Sequence, residues 1–162
     1  AQVSVGLSAI DYREGRLLQA MNRLERLLER QPDALLGRLY LARVYDRFGA
    51  HDRSLRQLQI ARQAAPTVKE FGDRLEALKR RQDAQSFYNE GFQQQALETL
   101  IDGLRLDPED PIIHNDLGVM LFALGEHEKA RKSFQPALMS APGLPDAEEN
   151  LRKLGAVSPA PG

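Results

Sequence analysis

The stretch PIIHNDLGVMLFALGEHEKARKSFQPALMSAPGL, residues 111–144, decides the fold of this chain. Its small, apolar and turn-forming residues recur, in weakened form, 34 positions earlier and in two further copies. The four units cover residues 1–34, 35–68, 77–110 and 111–144. A fixed period of this size indicates a solenoid, in which stacked units bury a continuous core.

Three kinds of residue at fixed positions predict two helices in each unit. A glycine at position 15 suits the left-handed residue that ends a first helix; these are Gly15, Gly49, Gly91 and Gly125. A proline at position 32 stops the second helix; these are Pro32, Pro66, Pro108 and Pro142. Small residues at positions 8 and 20 let the two helices approach closely: Ser8, Ala42, Ala84 and Gly118, and Ala20, Ser54, Ala96 and Ala130.

The pattern resembles the tetratricopeptide repeat family. The last unit matches best, through Leu117, Gly118, Gly125, Ala130, Phe134, Ala137 and Pro142, and Leu106-Asp107-Pro108 is a typical unit ending. The resemblance implies an all-α fold, a right-handed α-solenoid of four helix-turn-helix repeats with a C-terminal capping helix. It also implies a surface that binds partners.

The spacing predicts one solenoid domain over residues 1–155, with 145–155 as the cap and 156–162 as a disordered tail. Residues 69–76 interrupt the period, and apolar residues at helical spacing continue through them. We therefore expect one long helix from about 68 to 90. Within it, Phe71 and Leu75 either cover the preceding unit or form a protruding apolar ridge, an alternative interface for a partner or a second copy.

The sequence has few of the features that an enzyme active site requires. There is no Cys, and His51, His114 and His127 lack the spacing of a metal site. The glycines are scattered singly, which does not form a phosphate-binding loop. We therefore expect no enzyme activity, no metal and no cofactor. We also expect no nucleic-acid binding and no membrane span, because the net charge is −1 and no long apolar run occurs.

Charge is distributed unevenly along the chain. Residues 1–81 hold 16 Lys and Arg against 10 Asp and Glu, whereas residues 82–162 hold 6 against 13. One interpretation is that these are solvated helix faces without further meaning. The other is a bipolar molecule with a basic end for an acidic partner, or with head-to-tail self-association into a homo-oligomer.

The first helices predict a binding groove. Positions 2, 5, 9 and 12 of each unit share a face, because they repeat at three and four, and in the family resembled this face lines the concave side. The candidate groove residues are Leu39, Arg43, Arg81, Gln85, Tyr88, Asn115, Val119 and Phe122. The alternative is that several of them pack on the next helix.

The sequence therefore favours a non-catalytic scaffold that binds a peptide or partner segment in the groove. Two alternatives stay open: a self-assembling scaffold that uses the long helix and the bipolar charge, and a docking module of a larger enzyme or envelope assembly system. The absence of Cys fits an oxidising compartment, so the bacterial periplasm or envelope is placed ahead of the cytoplasm.

Overall fold

The computed structural model describes residues 2–141 and 144–156, and these form nine α-helices and no strand. The helices are α1 Gln2–Arg13, α2 Leu17–Arg30, α3 Leu35–Arg47, α4 His51–Ala64, α5 Lys69–Asn89, α6 Gln93–Leu106, α7 Pro111–Ala123, α8 His127–Ser140 and α9 Pro145–Ala156. The predicted all-α arrangement of helix pairs is confirmed.

The four turn glycines have the backbone conformation that the sequence predicts. Gly15, Gly49, Gly91 and Gly125 have φ between 71° and 87°, the left-handed region that side chains rarely adopt. The amide that follows each glycine donates to the carbonyl oxygen five residues earlier, at 2.8–3.0 Å. These bonds satisfy carbonyl groups at the end of the first helix and turn the chain directly into the second.

The small residues at positions 8 and 20 lie buried in every unit. The closest approach is in the last unit, where a Cβ added at Gly118 of α7 lies 2.5 Å from the ring of Phe134 in α8. Because Phe134 is fully buried, its ring has no room to move away. The absence of a side chain at Gly118 is therefore what lets α7 and α8 pack together.

The contacts divide the chain into two compact units, residues 1–79 and 80–162, whereas the sequence predicts one repeat domain over residues 1–155. The first unit contains two apolar clusters. One joins α1, α2 and α3 through Tyr12, Ala20, Leu24, Leu41, Val44 and Tyr45. The other joins α3, α4 and the beginning of α5 through Leu39, Ala42, Leu58, Ala61, Phe71 and Leu78.

The second unit has its core between α8 and α9. Ala130, Phe134 and Ala137 of α8 pack with Ala147 and Leu154 of α9. On α9 the acidic residues Asp146, Glu148 and Glu149 are exposed, so this helix covers the core on one face and meets water on the other. That is the arrangement expected of a cap. Pro142 and tail residues 157–162 lie outside the described residues.

The long helix is confirmed as α5, whose 21 residues compare with 13 in α3 and in α7. Its apolar residues do not form a protruding ridge. Phe71 is 5% exposed, and Leu75 is half-buried against the same cluster of α3 and α4. The two side chains cover the preceding helix pair, as the alternative interpretation of the insertion predicts. The prediction of a protruding interface at Phe71 and Leu75 is wrong, because α5 turns its apolar face inward.

Candidate functional site

Three candidate residues of the second unit lie on one face of α7, which we call the α7 face: Asn115, Val119 and Phe122. They are spaced four and three residues apart, so they follow one another along the helix over about 10 Å. Val119 is 39% exposed, and Phe122 is half-buried. The α7 face therefore presents apolar surface to solvent.

Asn115 has an unusual environment for an amide. It is 8% exposed, and its Oδ1 atom has no hydrogen-bond partner among the described residues. A buried acceptor without a donor costs about 1–3 kcal/mol. The amide of Asn115 is therefore able to accept a hydrogen bond from a group that the described part of the chain does not supply.

Phe122 is held in place by its neighbours. Its ring packs against the α8–α9 core, and the ring of His127 at the start of α8 lies 5.2 Å away at an angle of 59°. Tilted ring pairs at this separation are favourable. Phe122 therefore offers a fixed apolar surface beside Val119.

The candidate residues of α5 differ in how far their side chains are exposed. Gln85 is exposed and donates to Oδ1 of Asn89 at 2.9 Å, and Tyr88 is half-buried. Arg81 is 5% exposed. Its side chain lies in the interior and is not part of the exposed surface of α5, so its contact with a partner stays a prediction. Gln85 and Tyr88 stay candidates.

In the first unit, one candidate residue of α3 is buried and another is partly exposed. Leu39 lies in the core with Phe71 and Leu78 and is not exposed, so its contact with a partner stays a prediction. Arg43 is half-buried and stays a candidate. One turn later, Arg47 places its guanidinium 5.4 Å from the centre of the Tyr12 ring, and its Nη1 atom has no hydrogen-bond partner among the described residues. Arg47 lies at position 13 of its unit, outside the positions that predict the binding groove.

A network of charged groups ties α1 to α2. Asp11 is buried and accepts hydrogen bonds from Arg16 Nη2 at 2.7 Å, Arg16 Nε at 2.9 Å and Arg23 Nε at 3.3 Å. The hydrogen bond from Arg16, with the charges of both arginines, holds the pKa of Asp11 below its usual value despite the opposing effect of burial. The ionised carboxylate of Asp11 therefore links the turn at Gly15 to the middle of α2.

Tyr45 forms the corresponding link between α2 and α3. Its hydroxyl group donates to Glu25 Oε1 at 2.8 Å, and the guanidinium of Arg53 lies 5.7 Å from its ring centre. Burial, together with the hydrogen bond to Glu25, raises the pKa of Tyr45 to about 12. Tyr45 therefore keeps its proton and acts as a hydrogen-bond donor.

The outer surface of α2 holds a feature that sequence reasoning missed. Arg23, Arg26 and Arg30 repeat at three and four residues, which places them on one helix face. They line a cleft of about 510 Å³ together with Ser4, Gln19, Asn22, Leu27 and Gln31, and we call it the arginine cleft. The signal in the sequence is the helical spacing of these arginines, because they do not form a consecutive basic run.

Two of the three histidines make local polar contacts. His51 Nδ1 lies 2.8 Å from Asp46 Oδ1, and His114 Nε2 lies 2.8 Å from the carbonyl oxygen of Pro108. Within residues 2–141 and 144–156, no group of three or more His, Asp or Glu side chains is arranged to hold a metal ion. In the same ranges, no helix combines the length and the apolar character that crossing a membrane requires.

Curated relatives share most of this chain but are much longer. The chain is 30% identical over 138 residues to the aspartyl/asparaginyl beta-hydroxylase of Mus musculus and 29% identical to that of Homo sapiens. The matched region covers 80% of this chain and 18% of each relative. The chain therefore spans less than a fifth of the length of these relatives.

A solved structure and a family model agree on the fold. The chain is similar to a thermophilic tetratricopeptide repeat protein of Thermus thermophilus, TTC0263, with 24% identity and a TM-score of 0.52. That match covers 96% of this chain and 81% of the other. The tetratricopeptide repeat model matches residues 10–68 and 81–145, which is more than half of the sequence. The chain therefore belongs to the tetratricopeptide repeat family.

Proposed function

We propose that this chain is a protein-binding module that takes up a peptide segment on the α7 face. Tetratricopeptide repeats are in general protein-interaction modules and typically non-catalytic. The proposal names the part of the surface that supplies affinity and the chemistry that it recognises.

The unsatisfied amide of Asn115 carries the proposal. In the free protein its buried Oδ1 acceptor has no donor among the described residues. Oδ1 is closed to solvent in the free protein, so a peptide N–H group would supply that donor once the side chains that cover Asn115 move aside, and would then remove the cost of the unpaired acceptor. The free energy lost in the free protein would thus be recovered on binding.

Val119 and Phe122 define the rest of the ligand. An exposed valine and a half-buried aromatic ring next to a polar acceptor suit an extended or helical peptide with one apolar side chain. Binding energy at such surfaces concentrates in a few well-packed residues. We therefore propose a partner segment that places an apolar side chain on Val119 and Phe122 and a backbone N–H group at Asn115.

The decisive variant is Asn115→Leu, because binding and stability should respond in opposite ways. Replacing an unsatisfied buried amide by an apolar group of similar size is expected to be neutral or stabilising. The same change should weaken a bound peptide by about 1 kcal/mol or more. Peptides selected from a displayed library on the unmodified protein would be measured by calorimetry, and stability by urea unfolding.

Two further variants complete the experiment. Val119→Asp should weaken the same peptides, because it places a charge in the apolar contact. Met139→Asp is the matched control, since Met139 is 83% exposed on α8 and lies outside the α7 face. If Asn115→Leu and Val119→Asp leave the affinity of every selected peptide unchanged, the proposed site on α7 is wrong.

A second candidate function rests on the curated relatives. Because the matched region makes up 18% of two aspartyl/asparaginyl beta-hydroxylases, the repeats would act as the docking part of an enzyme of that kind. In this case the segment held on the α7 face would be a substrate, or another part of the same polypeptide. Peptides selected on the repeats would then be enriched in Asp or Asn.

A further inference from the structure

The residues that line the arginine cleft are mostly polar, and those that carry a charge are all positive. Eight residues of α1, α2 and the turn after α2 line its volume of about 510 Å³. Three of them are arginines, three are amides (Gln19, Asn22 and Gln31), and none is an aspartate or a glutamate. A concave surface with several guanidinium groups and no carboxylate attracts anions.

The arginines of the cleft differ in how they are engaged. Arg23 is held by Asp11, with 3.2 Å between Arg23 Nη2 and Asp11 Oδ2. Arg26 and Arg30 are exposed, and neither forms an ion pair with a carboxylate of the described residues. They lie four residues apart, or about 6 Å along α2. Two available guanidinium groups therefore stand one helical turn apart on the rim of the cleft.

We propose that the arginine cleft binds an acidic peptide segment of a partner protein. Guanidinium groups bind carboxylates through two parallel hydrogen bonds, which makes Arg26 and Arg30 suited to a pair of carboxylates. In an extended peptide, side chains on the same side are about 7 Å apart, close to the spacing of the two arginines. The amide groups of Gln19, Asn22 and Gln31 supply donors and acceptors for the peptide backbone.

The chemistry of the lining favours a peptide over a nucleic acid. Single-stranded nucleic acids bind to aromatic side chains on which their bases stack, and none of the eight lining residues is aromatic. The chain also carries a net charge of −1, which disfavours a long polyanion. The cleft is lined by α2, the turn after it and Ser4 of α1, and it shares no residue with the α7 face, so it is distinct from the proposed peptide site.

The test uses the whole chain and defined probes. A fluorescein-labelled peptide of alternating Glu and Ser is titrated with protein at low salt, and a peptide with Gln in place of Glu is the neutral control. The double variant Arg26→Glu/Arg30→Glu is compared with Arg56→Glu/Arg152→Glu, which changes the net charge equally at exposed positions outside the cleft. Circular dichroism checks that all proteins keep their helices.

We expect the acidic peptide to bind about tenfold or more tightly than its neutral control. The cleft variant should lose about tenfold or more in affinity, whereas the control variant should stay within about twofold. Asn115→Leu should leave this binding unchanged, so failure of the α7 site and failure of the cleft are distinguishable.

Four outcomes would overturn the proposal. The first is equal binding of the two peptides, and the second is equal loss of affinity in both double variants. The third is an oligothymidylate or inorganic phosphate that binds more tightly than the acidic peptide and depends on Arg26 and Arg30. The fourth is an oligomer in sedimentation velocity that the cleft variant alone dissociates, because the occupant is then a second copy of this chain.

Discussion

At the residue scale, Asp11 shows how one buried charge organises a turn. Its carboxylate receives hydrogen bonds from Arg16 at the start of the second helix and from Arg23 further along α2. A buried carboxylate is stabilising only when such partners are present. The turn at Gly15 is thus held by a backbone conformation and by a charged pair that crosses it.

Asp11→Asn should destabilise the chain at pH 7 and lose this effect in acid. Because the folded state lowers the pKa of Asp11, the carboxylate contributes stability above its unfolded pKa, and the contribution disappears as the pH falls through the folded pKa. We expect a loss of about 1–3 kcal/mol at neutral pH. Urea unfolding between pH 7 and pH 2 measures it, because the contribution is lost only below the unfolded pKa of about 4.

Asp83→Asn is the control for that experiment, since Asp83 is exposed on α5, and we expect it to change stability little at any pH. The electrostatic account of Asp11 fails if Asp11→Asn costs the same free energy of unfolding in acid as at neutral pH.

At the element scale, the two helical glycines Gly72 and Gly118 have opposite surroundings. A Cβ at Gly72 of α5 meets the tip of the Arg62 side chain at 2.7 Å, and Arg62 is exposed and flexible enough to move away. A Cβ at Gly118 of α7 meets the buried ring of Phe134 at 2.5 Å. Gly72 therefore lowers the helix propensity of α5, whereas Gly118 is required for α7 to pack against α8.

Substitution by alanine should therefore shift the melting temperature in opposite directions. Gly72→Ala should raise it, because alanine favours a helix interior over glycine by about 1 kcal/mol. Gly118→Ala should lower it by an overpacking cost of about 1–3 kcal/mol. Differential scanning calorimetry measures both. A lower melting temperature for Gly72→Ala would mean that the close contact between α5 and Arg62 outweighs the gain in helix propensity.

At the scale of the whole molecule, the helices pack on the next helix in the chain or on the one after it. In the first unit α1, α2, α3 and α4 pack in sequence and α1 also contacts α3; in the second, α6, α7, α8 and α9 pack in sequence and α7 also contacts α9. In a repeat protein, stability is close to a sum of repeat and nearest-neighbour contributions. A local defect should therefore loosen nearby helices and leave distant ones unchanged.

Hydrogen exchange tests this locality. Gly118→Ala should speed amide exchange in α7, α8 and α9, while α1 and α2 keep the rates of the unmodified protein. Leu41→Ala, which removes a buried side chain from the cluster of α1, α2 and α3, should show the reverse pattern. Equal acceleration throughout the chain by either variant would show that the molecule unfolds as one cooperative body.

The sequence by itself determined the repeats, the four turns and the nine helices of the described residues, because these depend on local rules. A glycine with positive φ, a proline after a helix and a small residue at a close crossing act within one unit. Tertiary structure alone decided how far each candidate side chain is exposed. Position 5 is buried in all four units, as Val5, Leu39, Arg81 and Asn115, whereas position 9 is half-buried or exposed. The spacing of a single helix shows which residues share a face, but the helix packed against that face decides whether water or a partner reaches it.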